Sequence, residues 1–195
     1  MTRGRPLTFN PDQAVQSAMH VFWSRGYDSA STRDLLAAMG LSRSSLYQAF
    51  GNKELLFVDA LRRYRESLLD RLRQRLAREP TAYAFFESLF QTTAQDVGSE
   101  RAALGCLIFN SATELGQRED LAAAEARCSV AAITELFQSA VEQGQAEGSI
   151  ATQRDPAALA TYLTMGMAGL RTLLKSGADR DRIDAATTLI LHSLR

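Results

Sequence analysis

Three pairs of residues hold most of the reactive chemistry in this chain. Cys106 and Cys128 are its two cysteines, His20 and His192 its two histidines, Lys53 and Lys175 its two lysines. A cysteine reacts as its thiolate, which a nearby cation or a helix N-terminus favours. Cys106 with Lys175 as that cation, one turn after Arg171, is one reading. A small buried hydrophobe at 106 and a lysine serving a helix C-terminus ahead of Gly177 is the other. Cys128 lies in an alanine-rich amphipathic stretch and is expected to be inert. Neither histidine has a Ser, Cys or carboxylate constellation, and there is no glycine-rich phosphate loop. The cysteines form no metal pattern and no disulfide framework. The chain is therefore not expected to be an enzyme, and no catalytic residue, cofactor or metal is assigned.

A second chemistry is suggested around residue 40. Arg43, Ser44, Ser45, Tyr47 and Gln48 follow Gly40-Leu41-Ser42 on what reads as the exposed side of a short helix. Such side chains can meet base edges and phosphates. A helical hairpin with an ordinary polar face is the alternative.

The elements that must position these groups all read as helices. Apolar residues recur at three- and four-residue spacing almost everywhere, and no stretch alternates over strand length. The first helix spans about 11–25, with Asn10 as N-cap, Pro11 at the first position and Val15, Ala18, Met19, Phe22 and Trp23 inward. The second, about 32–39, turns Leu35, Leu36 and Met39 inward and carries Ala37 at the expected crossing. Gly40 can take a positive φ at the turn, Leu41 fills the gap and Ser42 caps a third helix at about 43–49. Two short helices joined by a glycine-containing turn are the signature of a helix-turn-helix. Asn52 caps a long helix 4, about 52–78, and further helices are expected near 81–96, 100–115, 119–147, 156–175 and 180–194. The fold class is all-α: a three-helix N-terminal unit over 1–53, with helix 4 as connector, and a helical bundle over 54–195.

The composition suits a globular chain able to bury a core without disulfides: 46% hydrophobic, 23% charged and 8% aromatic. Twenty-two basic residues balance twenty-two acidic ones. The balance is a cancellation. Residues 1–78 hold 13 Lys/Arg against 7 Asp/Glu, a net of +6, and residues 79–195 hold 9 against 15, a net of −6. That asymmetry points to nucleic-acid contact in the front part. No signal peptide and no membrane-spanning run is read, so a cytoplasmic protein without membrane contact is expected.

The stretch Phe22-Trp23-Ser24-Arg25-Gly26-Tyr27, then Ser31-Thr32, Leu36-Ala37, Gly40-Leu41-Ser42, Ser45-Leu46-Tyr47, Phe50 and Asn52-Lys53-Glu54-Leu55-Leu56 resembles the N-terminal domain of TetR-family transcriptional regulators. The resemblance covers about residues 8–60 without a gap. It implies a homodimer, a palindromic double-stranded DNA operator, a ligand-binding C-terminal domain and, usually, repression. Carried over by position, it places Thr32 and Arg33 at the start of helix 2 near phosphate, and Arg43, Ser44, Ser45 and Gln48 on the recognition helix. Arg43 is the best candidate for reading guanine. Tyr47 and Lys53 match phosphate-contacting positions. Ser44 stands where many members carry a small residue. Arg3 and Arg5 would form a basic arm. The arginine run Arg62, Arg63, Arg65, Arg71, Arg73, Arg75 and Arg78 reads as a solvated helix face.

In the back half, Gly105-Cys106-Leu107-Ile108-Phe109-Asn110 and Glu114-Leu115-Gly116 resemble a segment of one subgroup of the family. Some of its members sense electrophiles or oxidants through this cysteine. The expected effector site is Cys106, Phe109, Asn110, Tyr162, Arg171 and Lys175, with Thr113 and Glu114 as further polar candidates. The effector is then a small molecule or electrophile, or alternatively a reversibly bound lipophilic ligand with no thiol chemistry. The last two helices are expected to form the dimer interface through Tyr162, Gly166, Gly169, Leu170, Ile183, Ala186, Leu189 and Ile190.

Overall fold

A computed structural model describes residues 9–195, which form ten α-helices. The basic arm with Arg3 and Arg5 lies outside them. The helices are α1 Pro11–Arg25, α2 Thr32–Met39, α3 Arg43–Phe50, α4 Lys53–Arg78, α5 Ala82–Ala94, α6 Glu100–Leu104, α7 Leu107–Leu115, α8 Leu121–Ala146, α9 Pro156–Lys175 and α10 Arg180–His192. Their starts follow from the sequence. Asn10 accepts from the amides of Asp12 and Gln13, and Ser31 and Asp34 form a reciprocal capping box. Ser42, Asn52, Thr81, Ser99, Asp120, Asp155 and Asp179 cap the others in the same way, except α7. Each such cap satisfies amides that the helix itself leaves free.

The N-terminal unit closes on α4. Val15, Ala18 and Phe22 of α1 are buried with Phe57, Ala60 and Leu61 of α4. The Phe22 and Phe57 rings meet edge-on at 5.0 Å, and Tyr27 packs on Phe57 at 4.8 Å. Fully burying a phenylalanine contributes about 1.5–3 kcal/mol, so this aromatic trio fixes the unit to the connector. Behind it, α8 lies between α4, α7 and α9, and α10 packs on α5 and α9. Phe85, Phe86 and Phe137 fill the centre of the bundle.

Two expectations need correction. The helix expected over about 100–115 is broken, because Gly105 adopts φ +68° and ends α6, after which α7 begins afresh. Ala37 is exposed rather than buried at a crossing. Leu35 is the residue of α2 that is fully inside, with Leu36 and Met39 packed at the margin.

Candidate nucleic-acid interface and sensor site

The turn between α2 and α3 is built as its residues require. Gly40 takes φ +65°, ψ 31°, and the Leu41 amide donates to the Leu36 carbonyl at 3.1 Å. Ser42 Oγ accepts from the Ser45 amide and starts α3. Leu46 is the buried anchor of α3, so Arg43, Ser44, Tyr47 and Gln48 are left exposed and Ser45 half-exposed. The Ser44 and Ser45 hydroxyls each lie 2.9 Å from Ser42 Oγ. Arg43, Tyr47 and Gln48 are therefore the freer groups of the helix. Thr32, half-buried, opens α2 with exposed Arg33 beside it.

Lys53 opens α4, but its ammonium is engaged: it donates to the Asp28 carbonyl at 3.3 Å and sits 4.7 Å above the Tyr27 ring. This places it at the α1–α2 turn, which is a junction. The Glu114 carboxylate, on the last turn of α7, accepts from the Tyr27 amide at 2.9 Å and the Asp28 amide at 2.8 Å. Arg118 pairs with the Asp28 carboxylate. Glu54, next to Lys53, accepts from the Leu121 amide at 2.9 Å. The helix-turn-helix is thus held to the bundle through α7 and the start of α8, and not through α4 alone.

At the other end of α7, Cys106 is the N-cap residue and makes no side-chain cap bond. Of the ten described helices, α7 alone starts without one. The sulfur therefore stands at the positive end of the helix, where the first amides lack intrahelical partners. The Tyr64 hydroxyl donates to Cys106 Sγ at 3.8 Å. Burial, reinforced by the adjacent Cys106, holds the Tyr64 phenol well above its ordinary range, so it stays protonated as a donor. Trp23 packs edge-on against Tyr64 at 5.1 Å, and its indole N–H is buried without a partner among the described residues. Cys106, Phe109, Trp23, Tyr64, Met167 and Arg171 are among the walls of a cavity of about 60 Å³.

The expected sensor residues do not all converge there. Cys106, Phe109 and Arg171 do. Arg171 is committed to Asp96 at 2.8 Å and to Thr93. Asn110 donates to the Leu104 carbonyl at 2.8 Å, bracing the α6–α7 break. Lys175 packs beside Gly105 and faces a separate surface depression with Asn110, Thr113 and Glu114. Tyr162 lies elsewhere, against Arg154, Asp155 and Ser193. Tyr64, Trp23 and Arg101 were missed: they read as ordinary helix-face residues, and only the α6–α7 break brings Cys106 up to them. Cys128 is exposed on α8.

The expected interface residues divide similarly. Leu170, Ile183 and Ile190 are buried within the protomer and cannot offer surface to a partner. Gly166 serves the protomer too: a Cβ there would stand 3.0 Å from Ile190 Cδ1, so it lets α9 and α10 close. Ala186 is half-buried. Exposed apolar side chains remain at Tyr162, Met165 and Leu173 of α9 and at Leu189 of α10, with Gly169 open between them.

An all-helical bundle carrying a helix-turn-helix with its polar face outward defines a DNA-binding regulator. Comparison with known proteins agrees. Residues 14–60 match the family described as bacterial regulatory proteins, tetR family, and residues 83–190 match the tetracyclin repressor-like C-terminal domain. The chain is 31% identical to the HTH-type transcriptional repressor ComR of Escherichia coli over 193 residues, covering 97% of this chain and 92% of that protein. It is 30% identical to the HTH-type transcriptional regulator YezE of Bacillus subtilis over 184 residues, 92% of this chain and 93% of that one. A cysteine mutant of the TetR family regulator CifR, solved with 26-base-pair operator DNA, superposes with a TM-score of 0.83 at 31% identity, over 98% of this chain and all of that one. The chain belongs to the TetR family of transcriptional regulators. No helix among the described residues is long and apolar enough to cross a membrane.

Proposed function

We propose that this protein is a cytoplasmic, homodimeric repressor that leaves its operator when a small electrophile modifies Cys106. One observation carries the reading: Cys106 and Glu114 sit at opposite ends of the single helix α7, one lining a cavity and the other holding the α1–α2 turn that leads into the helix-turn-helix. In a conjugate addition the sulfur bonds to the electrophilic carbon, the carbon–carbon π bond opens and the thiol proton ends on the neighbouring carbon. No outside oxidant is needed. The adduct overfills the cavity and displaces α7, and Glu114 carries that movement to Tyr27 and Asp28.

The space beside the thiol itself suits a small reacting group. Drug-sized ligands occupy about 300–1,000 Å³, several times the 60 Å³ around the thiol. Two copies of α3, related by the dimer axis, would read half-sites about 34–36 Å apart in a palindromic operator. Arg43 and Gln48 would face base edges, with Tyr47, Thr32 and Arg33 on phosphates. Lys53 would first have to leave the Asp28 carbonyl.

The test is operator release by acrolein, with Cys106→Ser and Cys128→Ser compared and adducts located by mass spectrometry. Release that survives in Cys106→Ser refutes the thiol reading. Operator affinity should also fall steeply with salt.

A further inference from the structure

The arginines of α4 do not form one solvated face. Arg62 and Arg65 pair with Glu125, Arg63 with Asp12 and Asp59, and Arg73 with Asp70. Arg71, Arg75 and Arg78 have no carboxylate within 4 Å among the described residues. These three recur at i, i+4 and i+7 and turn into a concavity of about 620 Å³, where Arg101 of α6 and Arg171 of α9 face them. The acidic groups of that cleft are Asp96, already shared by Arg171 at 2.8 Å and Arg101 at 3.7 Å, and Glu79 at the rim. Five guanidiniums thus line the cleft alongside only two carboxylates. Arg71 lies 18 residues beyond Lys53, or about 27 Å along the helix, so the cluster is remote from the DNA-reading end.

A cleft lined by one sign of charge concentrates the opposite sign, and guanidinium forks match carboxylate and phosphate oxygens. The cleft also adjoins the thiol cavity: Leu68, Leu72, Leu89, Thr93, Arg101 and Arg171 line both. The polar mouth is large and the apolar end is narrow.

We propose that this cleft binds an amphiphilic organic anion, its carboxylate or phosphate head held by Arg71, Arg75 and Arg78 and its apolar tail directed past Leu68 and Leu89 toward Cys106. The inference rests on the bundle being the sensing half. It names the class of effector that half selects: anionic molecules, whether they react with the thiol or only occupy the space before it.

Calorimetry with octanoate, octyl phosphate and octan-1-ol tests it on the whole protein, without DNA or electrophile, so it fails or succeeds independently of the thiol chemistry. At least one of the two anions should bind about tenfold or more tighter than the alcohol, the worth of one charge-assisted hydrogen bond. Whichever anion leads assigns the head group. Arg75→Gln/Arg78→Gln should remove the preference, and Arg73→Gln, outside the cleft, should keep it. Two results overturn the proposal: neither anion exceeding the alcohol, or a preference that survives Arg75→Gln/Arg78→Gln.

Discussion

Glu114→Gln is the sharpest probe of how the two halves communicate. The carboxylate gives one oxygen to each of two backbone amides, at 2.9 and 2.8 Å. An amide of the same shape keeps one acceptor and turns a donor toward the other N–H. Hydrogen bonds to charged groups contribute about 1.5–3 kcal/mol when sheltered. This one is solvent-exposed, so a discounted value of about 1.4 kcal/mol for the lost bond and the opposed donor is reasonable. If the adduct acts by moving α7, that sum is removed from the coupling between thiol and operator, and 1.4 kcal/mol is about tenfold in an equilibrium constant. The assay is fluorescence anisotropy with labelled operator, before and after complete modification of Cys106 verified by mass spectrometry. The ratio of operator affinities should fall about tenfold relative to wild type. An unchanged ratio at full modification would show that α7 does not transmit through Glu114.

Gly26→Ala attacks the same junction from the other side. Its φ of +83° with ψ 170° suits glycine, and a Cβ would stand 2.8 Å from the Glu114 carboxylate. A stability loss of about 1–3 kcal/mol is expected in urea titration, together with weakened release. Met165→Glu with Leu189→Glu places charges in the exposed apolar strip of α9 and α10; light scattering should show monomers, and operator affinity should collapse. Asp34 is held ionised below its ordinary range, first by the Ser31 hydroxyl, then by the Ser31 amide, with Arg25 adding to the effect. Its lowered value means that this stabilisation is present above the ordinary carboxylate range and is lost as pH falls through the native value. The urea-midpoint gap between wild type and Asp34→Asn should therefore narrow as the solution is acidified.

Most helix positions were legible because their signals are local. Asn10, Ser31, Ser42 and Asn52 each announce a cap within three residues, and the 3.6-residue period marks the buried side. What escaped depends on contacts distant in sequence. Period alone could not separate Leu170, Ile183 and Ile190, which face their own core, from Tyr162, Met165 and Leu189, which face outward, because all six belong to apolar stripes on the same two helices. Spacing could not divide the α4 arginines into paired and unpaired sets, since Glu125 and Asp12 come from other helices. The break at Gly105 was hidden for a different reason: a lone glycine in an apolar helical pattern is compatible with continuity.

That break decides what the thiol can do. In an unbroken helix over 100–115, Cys106 would lie mid-helix, with its neighbouring amides consumed by the preceding turn. Ending α6 at Gly105 instead gives the sulfur a helix start free of any side-chain cap, a phenol donor in Tyr64 and a wall of the cavity. On the proposed mechanism, the same break shortens the part that must move. From Cys106 to Glu114 is eight residues, about 12 Å of helix, packed on α8 with Leu107, Ile108 and Leu115 buried, and tied at its two ends by polar contacts that can be exchanged. A helix of 16 residues rooted at Glu100 would have to bend or carry α6 with it. A nine-residue segment can pivot or slide as a unit, and a packed interface tends to switch between discrete arrangements instead of deforming smoothly. On the proposed mechanism, a local change at the thiol would then reach the α1–α2 turn through Glu114.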